Sequence, residues 1–364
     1  MISSHILYHK WFSALTNQWP KQNKARFKVL AWLMVGLFLS GHVHLGKVAR
    51  KLPGKSLNKS KERRLSRLLN NAKLPVRLIY RPIAEQLIAE VIRHGQPIRL
   101  IIDGSKIGNG HQLLMISLAY RRRSFPIIWT WRKGVKGHSP VYVQMALFSA
   151  VRLLIPEDAT VIITGDSEFG SSLLMRRFEK WGWFYALRQK GQYLFSEDNA
   201  QTWQRCDSPS KKGKSYWFKG IALTQKHKYH CNLMVHWQKN CSEPWLIATN
   251  LQTAKETHKH YSWRMWIEAL FGDCKSNGFD IEMTQLQTPT ALNRLMLAIA
   301  LLVVWLLAFG SRVVKQGQRH LVDRSDRRDL SFFRIGWDMI ERCLANQTSY
   351  RVHFRPVFRK VSGG

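Results

Sequence analysis

The sequence predicts a mixed α/β core behind a basic, helical N-terminal region. Three observations carry this reading. The first 95 residues place apolar side chains at helical spacing, with few strand signals. From Pro97 onward, short β-branched runs take over. Those runs follow the order strand, strand, strand, helix, strand, helix, strand, which a five-stranded mixed sheet accommodates.

The N-terminal region, residues 1–95, is expected to form a helical domain. Its most basic stretch runs from Lys47 to Lys73 and holds ten Lys or Arg residues against one acid, Glu62. Within it, the segment from Ser60 to Leu69 alternates basic and apolar positions as an amphipathic helix does. Arg63, Arg64 and Arg67 fall on its polar face. In an ordinary protein such a face is merely solvated. Here the one-sided charge favours contact with a polyanion.

The core is expected over residues 96–310. Ile98 to Ile102 is the first strand. Leu113 to Tyr120 and Phe125 to Trp131 are the next two, joined by a tight turn at Arg121-Arg122-Arg123. Val141 to Ile155 reads as a helix that Pro156 ends. Thr160 to Thr164 is the fourth strand, and Ser171 to Trp181 the second helix, with Ser171 as its cap. Trp183 to Leu187 is the fifth strand. Residues 189–243 interrupt the order with a strand-rich insertion (Tyr216 to Leu223, Tyr229 to Trp237). A third helix spans Thr257 to Lys275, and an apolar helix spans residues 291–309. Residues 311–364 read as a basic tail with little regular pattern, suited to DNA contact or dimerisation.

Charge narrows the function. The 364 residues carry a formal net charge of +34. Self-repulsion on that scale opposes compaction. What it supplies is attraction to phosphate, and nucleic acid is the leading partner. A membrane surface is the rival. The apolar runs Val29 to Leu39 and Leu295 to Phe309 are shorter than the ~20 residues that span a bilayer, so both are expected to be buried helices and no membrane partner is expected. The N-terminus lacks the ordered zones of a signal peptide. Five cysteines without a Cys-x-x-Cys pair argue against structural zinc and suit a reducing cytosol.

Acids are scarce, 23 against 57 Lys and Arg, so their placement is informative. Asp103 ends the first strand and Asp166 the fourth, where ligands gather on an α/β sheet. Two carboxylates held side by side repel each other unless a cation lies between them. Hard divalent cations such as Mg²⁺ take oxygen ligands. Either Asp alone is an ordinary turn or cap residue. The third helix sharpens the case: counted from Tyr261 at about 100° per residue, Arg264, Glu268 and Lys275 share one narrow face with it. Trp263, Trp266, Ile267, Leu270 and Cys274 form the face expected to pack on the sheet. Glu268 is then a third metal ligand flanked by cations, against the alternative of a solvated Arg264–Glu268 pair. Glu168 is a weaker ligand candidate, because strand alternation would turn it away from Asp166. His138 reads as a loop residue.

The spacing Tyr-x2-Arg-x3-Glu-x6-Lys, filled by Tyr261, Arg264, Glu268 and Lys275 behind two strand-end aspartates, resembles the signature of DDE transposases of the bacterial insertion sequence four group. The resemblance covers the core from about Ile98 to Phe309. It implies an RNase H-like core and a β-rich insertion before the Glu helix. Asp103, Asp166 and Glu268 would bind two Mg²⁺, with Mn²⁺ expected to substitute. Tyr261, Arg264 and Lys275 would contact DNA. The implied reaction is cleavage at transposon ends, followed by attack of the freed 3′-OH on target DNA, by a homodimer in the bacterial cytoplasm. Some members excise through a DNA hairpin and stack a flipped base on a Trp that begins the strand before the Glu helix. Pro244 to Asn250 matches that strand, so Trp245 is the candidate, with Trp237 as second choice, and Arg188 lies near the same pocket. Two other functions stay open. One is an RNase H-like nuclease that cuts without joining, and the other is an inactive DNA-binding repressor.

Overall fold

A computed structural model describes residues 2–358 except 109, 135–138 and 325, so His138 lies outside the described residues. Five helices come first: α1 (Ile2–Gln18), α2 (Lys24–Ser40), α3 (Leu45–Arg50), α4 (Asn58–Leu69) and α5 (Val76–Arg93). Three antiparallel strands follow, β1 (Ile98–Ile107), β2 (His111–Tyr120) and β3 (Arg123–Lys133). Then come α6 (Val141–Arg152), β4 (Val161–Gly165), α7 (Ser172–Lys180) and β5 (Phe184–Arg188). The meander, the two intervening helices and their order agree with the sequence reading. Ser171 caps α7, its Oγ accepting from the amide of Leu173 at 3.3 Å.

The insertion does not stand apart from the core. Its strands are β6 (Leu194–Ser196), β7 (Gln204–Arg205), β8 (Ser215–Leu223) and β9 (Tyr229–His236), and β10 (Trp245–Thr249) follows. All ten strands form one sheet in the order β3-β2-β1-β4-β5-β10-β9-β8-β6-β7. β10 joins the two halves, pairing antiparallel with β5 on one side and β9 on the other. The expected five-stranded sheet is therefore its first half. An open edge on β5 would leave backbone groups unpaired, and β10 satisfies them.

The expected third helix is two helices. α8 (Ala254–Ser262) and α9 (Trp266–Cys274) are joined by a 3-10 turn at Trp263–Met265. Such a turn advances more per residue than an α-helix, so the helical phase shifts midway. Ile267, Leu270 and Cys274 are buried as expected. Trp263 and Trp266 are only half-buried, stacked on each other at 4.9 Å with the Arg99 guanidinium 4.4 Å from the Trp263 ring.

α10 (Pro289–Lys315) organises the helical side. It is long and apolar enough to cross a membrane, but 83% of its most apolar window is buried inside the protein. Trp11 of α1 meets Trp305 of α10 edge-on at 5.1 Å. The segment after residue 310 was expected to be irregular. Instead Phe332–Ala345 forms α11, capped by Ser331. Phe38 of α2 stacks on Trp337 of α11 at 4.7 Å. Helices α1 to α5 thus share one hydrophobic core with α10 and α11. The change near residue 95 is one of secondary structure, not a break in packing.

The tail is helical because two glycines let α11 touch α10 backbone to backbone. A Cβ on Gly310 would lie 1.9 Å from the carbonyl oxygen of Phe332, and one on Gly336 would lie 2.1 Å from that of Leu306. Neither can be accommodated without moving a helix. Gly336→Ala is expected to cost at least the ~1–3 kcal/mol of an overpacked core, read as a lowered urea midpoint at unchanged slope. An unchanged midpoint would contradict this crossing.

Asp273, near the end of α9, is 2% exposed and lies 3.4 Å from Arg123 Nε. Burial pushes its carboxyl up to about 7, and Arg123 opposes the shift without cancelling it. The folded pKa lies above the unfolded one, so the native state holds the proton more tightly. Stability from this group is full below about pH 4 and is lost as pH rises through about 7. Asp273→Asn should flatten the fall in melting temperature over that window. A wild-type curve with no such fall would contradict the shift.

Candidate active site

The site forms where β1 and β4 run parallel, with Ile102 paired to Gly165. The next residue on each strand is an aspartate. Asp103 is buried and continues in β1 opposite Met115 of β2. Asp166 is half-buried where β4 ends, and its Oδ1 accepts from the amide of Ser167 at 2.7 Å. A Cβ on Gly165 would meet Ile102 and Phe169 at 2.9 and 3.1 Å, so glycine lets the chain turn here beside β1.

The helix segment α8–α9 lies over these strand ends. Arg264, in the 3-10 turn, donates through Nη2 to Glu268 Oε1 at 2.7 Å. Its Nη1 lies 3.5 Å from Asp103 Oδ2. Burial opposes the Arg264 charge. Tyr261, Asp103, Asp166 and Glu268 nonetheless hold its pKa above the ordinary value. Three of the chain's few acids therefore act on one guanidinium. Among the described residues, no three His, Cys, Asp or Glu side chains stand close enough together to hold a metal. Arg264 lies between Asp103 and Glu268, and its charge offsets their repulsion. The donor set nevertheless suits a hard divalent cation: three carboxylates, one buried and one exposed, around a single positive group.

Tyr261 is 2% exposed in a small cluster with Ala186, Met234, Ile247 and Leu251. Burial raises its hydroxyl to about 12; Arg264 and Arg188 pull it down, Asp166 and Asp103 push it up. Trp245 is half-buried, its ring edge-on to Tyr261 at 4.9 Å. It is neither a core tryptophan nor fully exposed. His258 and His236, which the sequence pattern did not single out, flank it at 5.3 and 6.1 Å. Arg188, paired in register with Ile247, donates to Glu243 Oε2 at 2.8 Å and to the Pro244 carbonyl at 3.1 Å. Trp237 donates its indole N–H to the Cys241 carbonyl at 3.0 Å, within its own turn.

Lys275 is the residue that closes α9, and its Nζ pairs with Glu282 Oε1 at 2.8 Å. Glu168 departs from the reading. It lies in a 3-10 turn, so strand alternation does not govern it. Its Oε1 accepts from the Ser139 amide at 2.8 Å and from the Ser139 hydroxyl. Its Oε2 lies 3.7 Å from where a Cβ on Gly104 would stand, beside Asp103. Buried Gln144 fixes this loop, donating to the Ser139 carbonyl at 3.0 Å and the Glu168 carbonyl at 3.2 Å. Arg63, Arg64 and Arg67 of α4 are exposed, with Leu65, Leu68 and Leu69 buried beneath them. Lys61 is not part of that surface, since its Nζ donates to the Leu52 carbonyl at 2.7 Å.

The arrangement is one of strand-end carboxylates on a mixed sheet beneath a helix that carries a third acid and an arginine. The family model described as the transposase DDE domain matches residues 94–305. The chain belongs to that family: it is a DDE transposase, an enzyme of DNA transposition and recombination. The family implies a metal-dependent DNA-cutting enzyme. Among curated proteins, none matches the chain. A solved structure of the piggyBac transposase synaptic complex with hairpin DNA is similar over 95% of this chain and 78% of that one, at 14% identity and a TM-score of 0.43.

Trp245→Ala removes a half-buried ring, so it should cost less than the ~3–5 kcal/mol of a fully buried aromatic. Chemical denaturation measures this directly. A loss within that range would make Trp245 a core residue.

Proposed function

We propose that this transposase binds the ends of a mobile element, cuts them, and joins the freed 3′-OH to target DNA, using an RNase H-like core with Asp103, Asp166 and Glu268 as catalytic acids. One observation carries the reading: the Arg264 guanidinium bridges Asp103 of β1 at 3.5 Å and Glu268 of the overlying helix at 2.7 Å, beside Asp166 at the end of the adjacent parallel strand. In a chain of +34 such convergence is costly unless positive charge is meant to reside there.

Asp103, Asp166 and Glu268 would hold Mg²⁺, or Mn²⁺ in its place. When bound, such ions would supply charge stabilisation for an in-line displacement at phosphorus. The chain's own residues do the rest. Burial of Asp103 keeps its carboxylate on one bearing, and the Arg264 charge holds Glu268 towards it. Tyr261 and Arg188 stand beside Trp245, where a phosphate next to an unstacked base could be held. Trp245, which is only half-buried, serves as a platform for that base in a hairpin route. Stacking of this kind recovers roughly 1–3 kcal/mol per base. Arg63, Arg64 and Arg67 take phosphates of the element's end, and a homodimer pairs two ends. The setting is the bacterial cytoplasm, on nucleoid DNA.

Asp103→Asn should abolish cleavage in Mg²⁺ and Mn²⁺ while leaving end binding within about threefold in a gel-shift assay, because phosphate contact comes from cations elsewhere. Equal loss of binding and cleavage would overturn this division. Wild-type protein that cuts but never joins would be a nuclease. Binding without cutting would mark a repressor.

A further inference from the structure

The two-residue turn between β2 and β3 is built from Arg121 and Arg122, with φ of 46° and 65°. Right-handed strand twist asks for such left-handed angles, and Asn-Gly supplies them without strain. Arginine at both positions is a strained choice, and in native folds such strain gathers at functional sites. The turn faces the start of α11 across a cleft of about 360 Å³, lined by Arg121, Arg122, Arg123, Arg319 and Arg328.

The arginines are held in two ways. Arg123 pairs with buried Asp273, and Arg319 pairs with buried Asp323 while donating to the Leu330 carbonyl at 3.1 Å. Arg121 lies over the Phe332 ring at 4.3 Å. Arg122 and Arg328 are exposed and make no ion pair among the described residues. The acid lining the cleft, Asp329, is taken by Arg327 at 2.5 Å. The result is a preorganised positive cleft with two guanidinium groups uncommitted.

We infer that this cleft is a second DNA contact, binding a backbone phosphate away from the cut. Planar guanidinium forks match the oxygens of a phosphodiester. The amides at the start of α11 add to the field. The location excludes the reacting phosphate. Asp103 is in register with Met115, and the turn follows Tyr120, five residues further along β2. At about 3.4 Å per residue, the cleft is roughly 17 Å along the strand from the carboxylates. That is on the order of five nucleotide rises of duplex. This inference rests on the DNA-binding function proposed above.

The test compares wild type with Arg122→Ala/Arg328→Ala on duplex carrying the element's end. Neither side chain makes an ion pair among the described residues, so melting temperature should not change. Log affinity against log salt should lose about one unit of slope, the signature of one lost phosphate contact. Phosphate ethylation at one position should weaken wild-type binding and leave the variant unaffected. Cleavage at saturating DNA should be unchanged. Coincident salt slopes and interference patterns would overturn the inference while leaving the proposed function intact. A wild type that binds no DNA would overturn both. If inorganic phosphate raises the melting temperature of wild type alone and the DNA slopes coincide, the cleft is a free-anion site and the DNA assignment fails.

Discussion

Repulsion between carboxylates is the constraint that shapes this molecule. The parallel pairing of β1 with β4 sets Asp103 and Asp166 on adjacent strands, and α9 brings a third acid over them. A site of that kind cannot be left to mobile loops, because the acids would relax apart. Backbone pairing holds Asp103 within β1, and Asp166 directly follows the last paired residue of β4. Arg264 tethers the third from a turn that breaks the helix, at the cost of an interrupted hydrogen-bond ladder.

Much of this was legible in the sequence, for physical reasons that differ by element. The β-branched runs over Ile98–Ile102 and Thr160–Thr164 announced both strands, and an aspartate follows each run. Helical spacing placed Arg264 beside Glu268. Other features depend on contacts between distant segments, which periodicity does not report. The pairing of β10 with β5 merges insertion and core. The 3-10 turn at Trp263–Met265 divides the expected third helix in two. α11 escaped notice because its partner is the backbone of α10, and the two glycines responsible are 26 residues apart in a stretch rich in charge.

Positive charge is used unevenly. Some cations are structural. Lys61 reaches back to a carbonyl, and buried Arg294 donates to the Leu69 carbonyl at 2.8 Å, tying α4 to α10. Others stand free on the exposed face of α4 and at the far end of the sheet. α9 spans the ground between the two ends of the sheet: Glu268 in its first turn meets Arg264, and Asp273 near its end meets Arg123. The same rigid element thus sets the bearing of a candidate catalytic acid and of an arginine in the distant cleft.

The Trp11–Trp305 contact has a consequence for synthesis. The helix that α1 and α2 pack against is made about 290 residues after them, which at 5–20 residues per second is a delay of roughly 15–60 s. Through that interval Trp11, Phe27 and Phe38 have no partner from α10 or α11 to cover them. The first third of the chain is therefore its most aggregation-prone part while it is being made, although none of those side chains is exposed once it is finished.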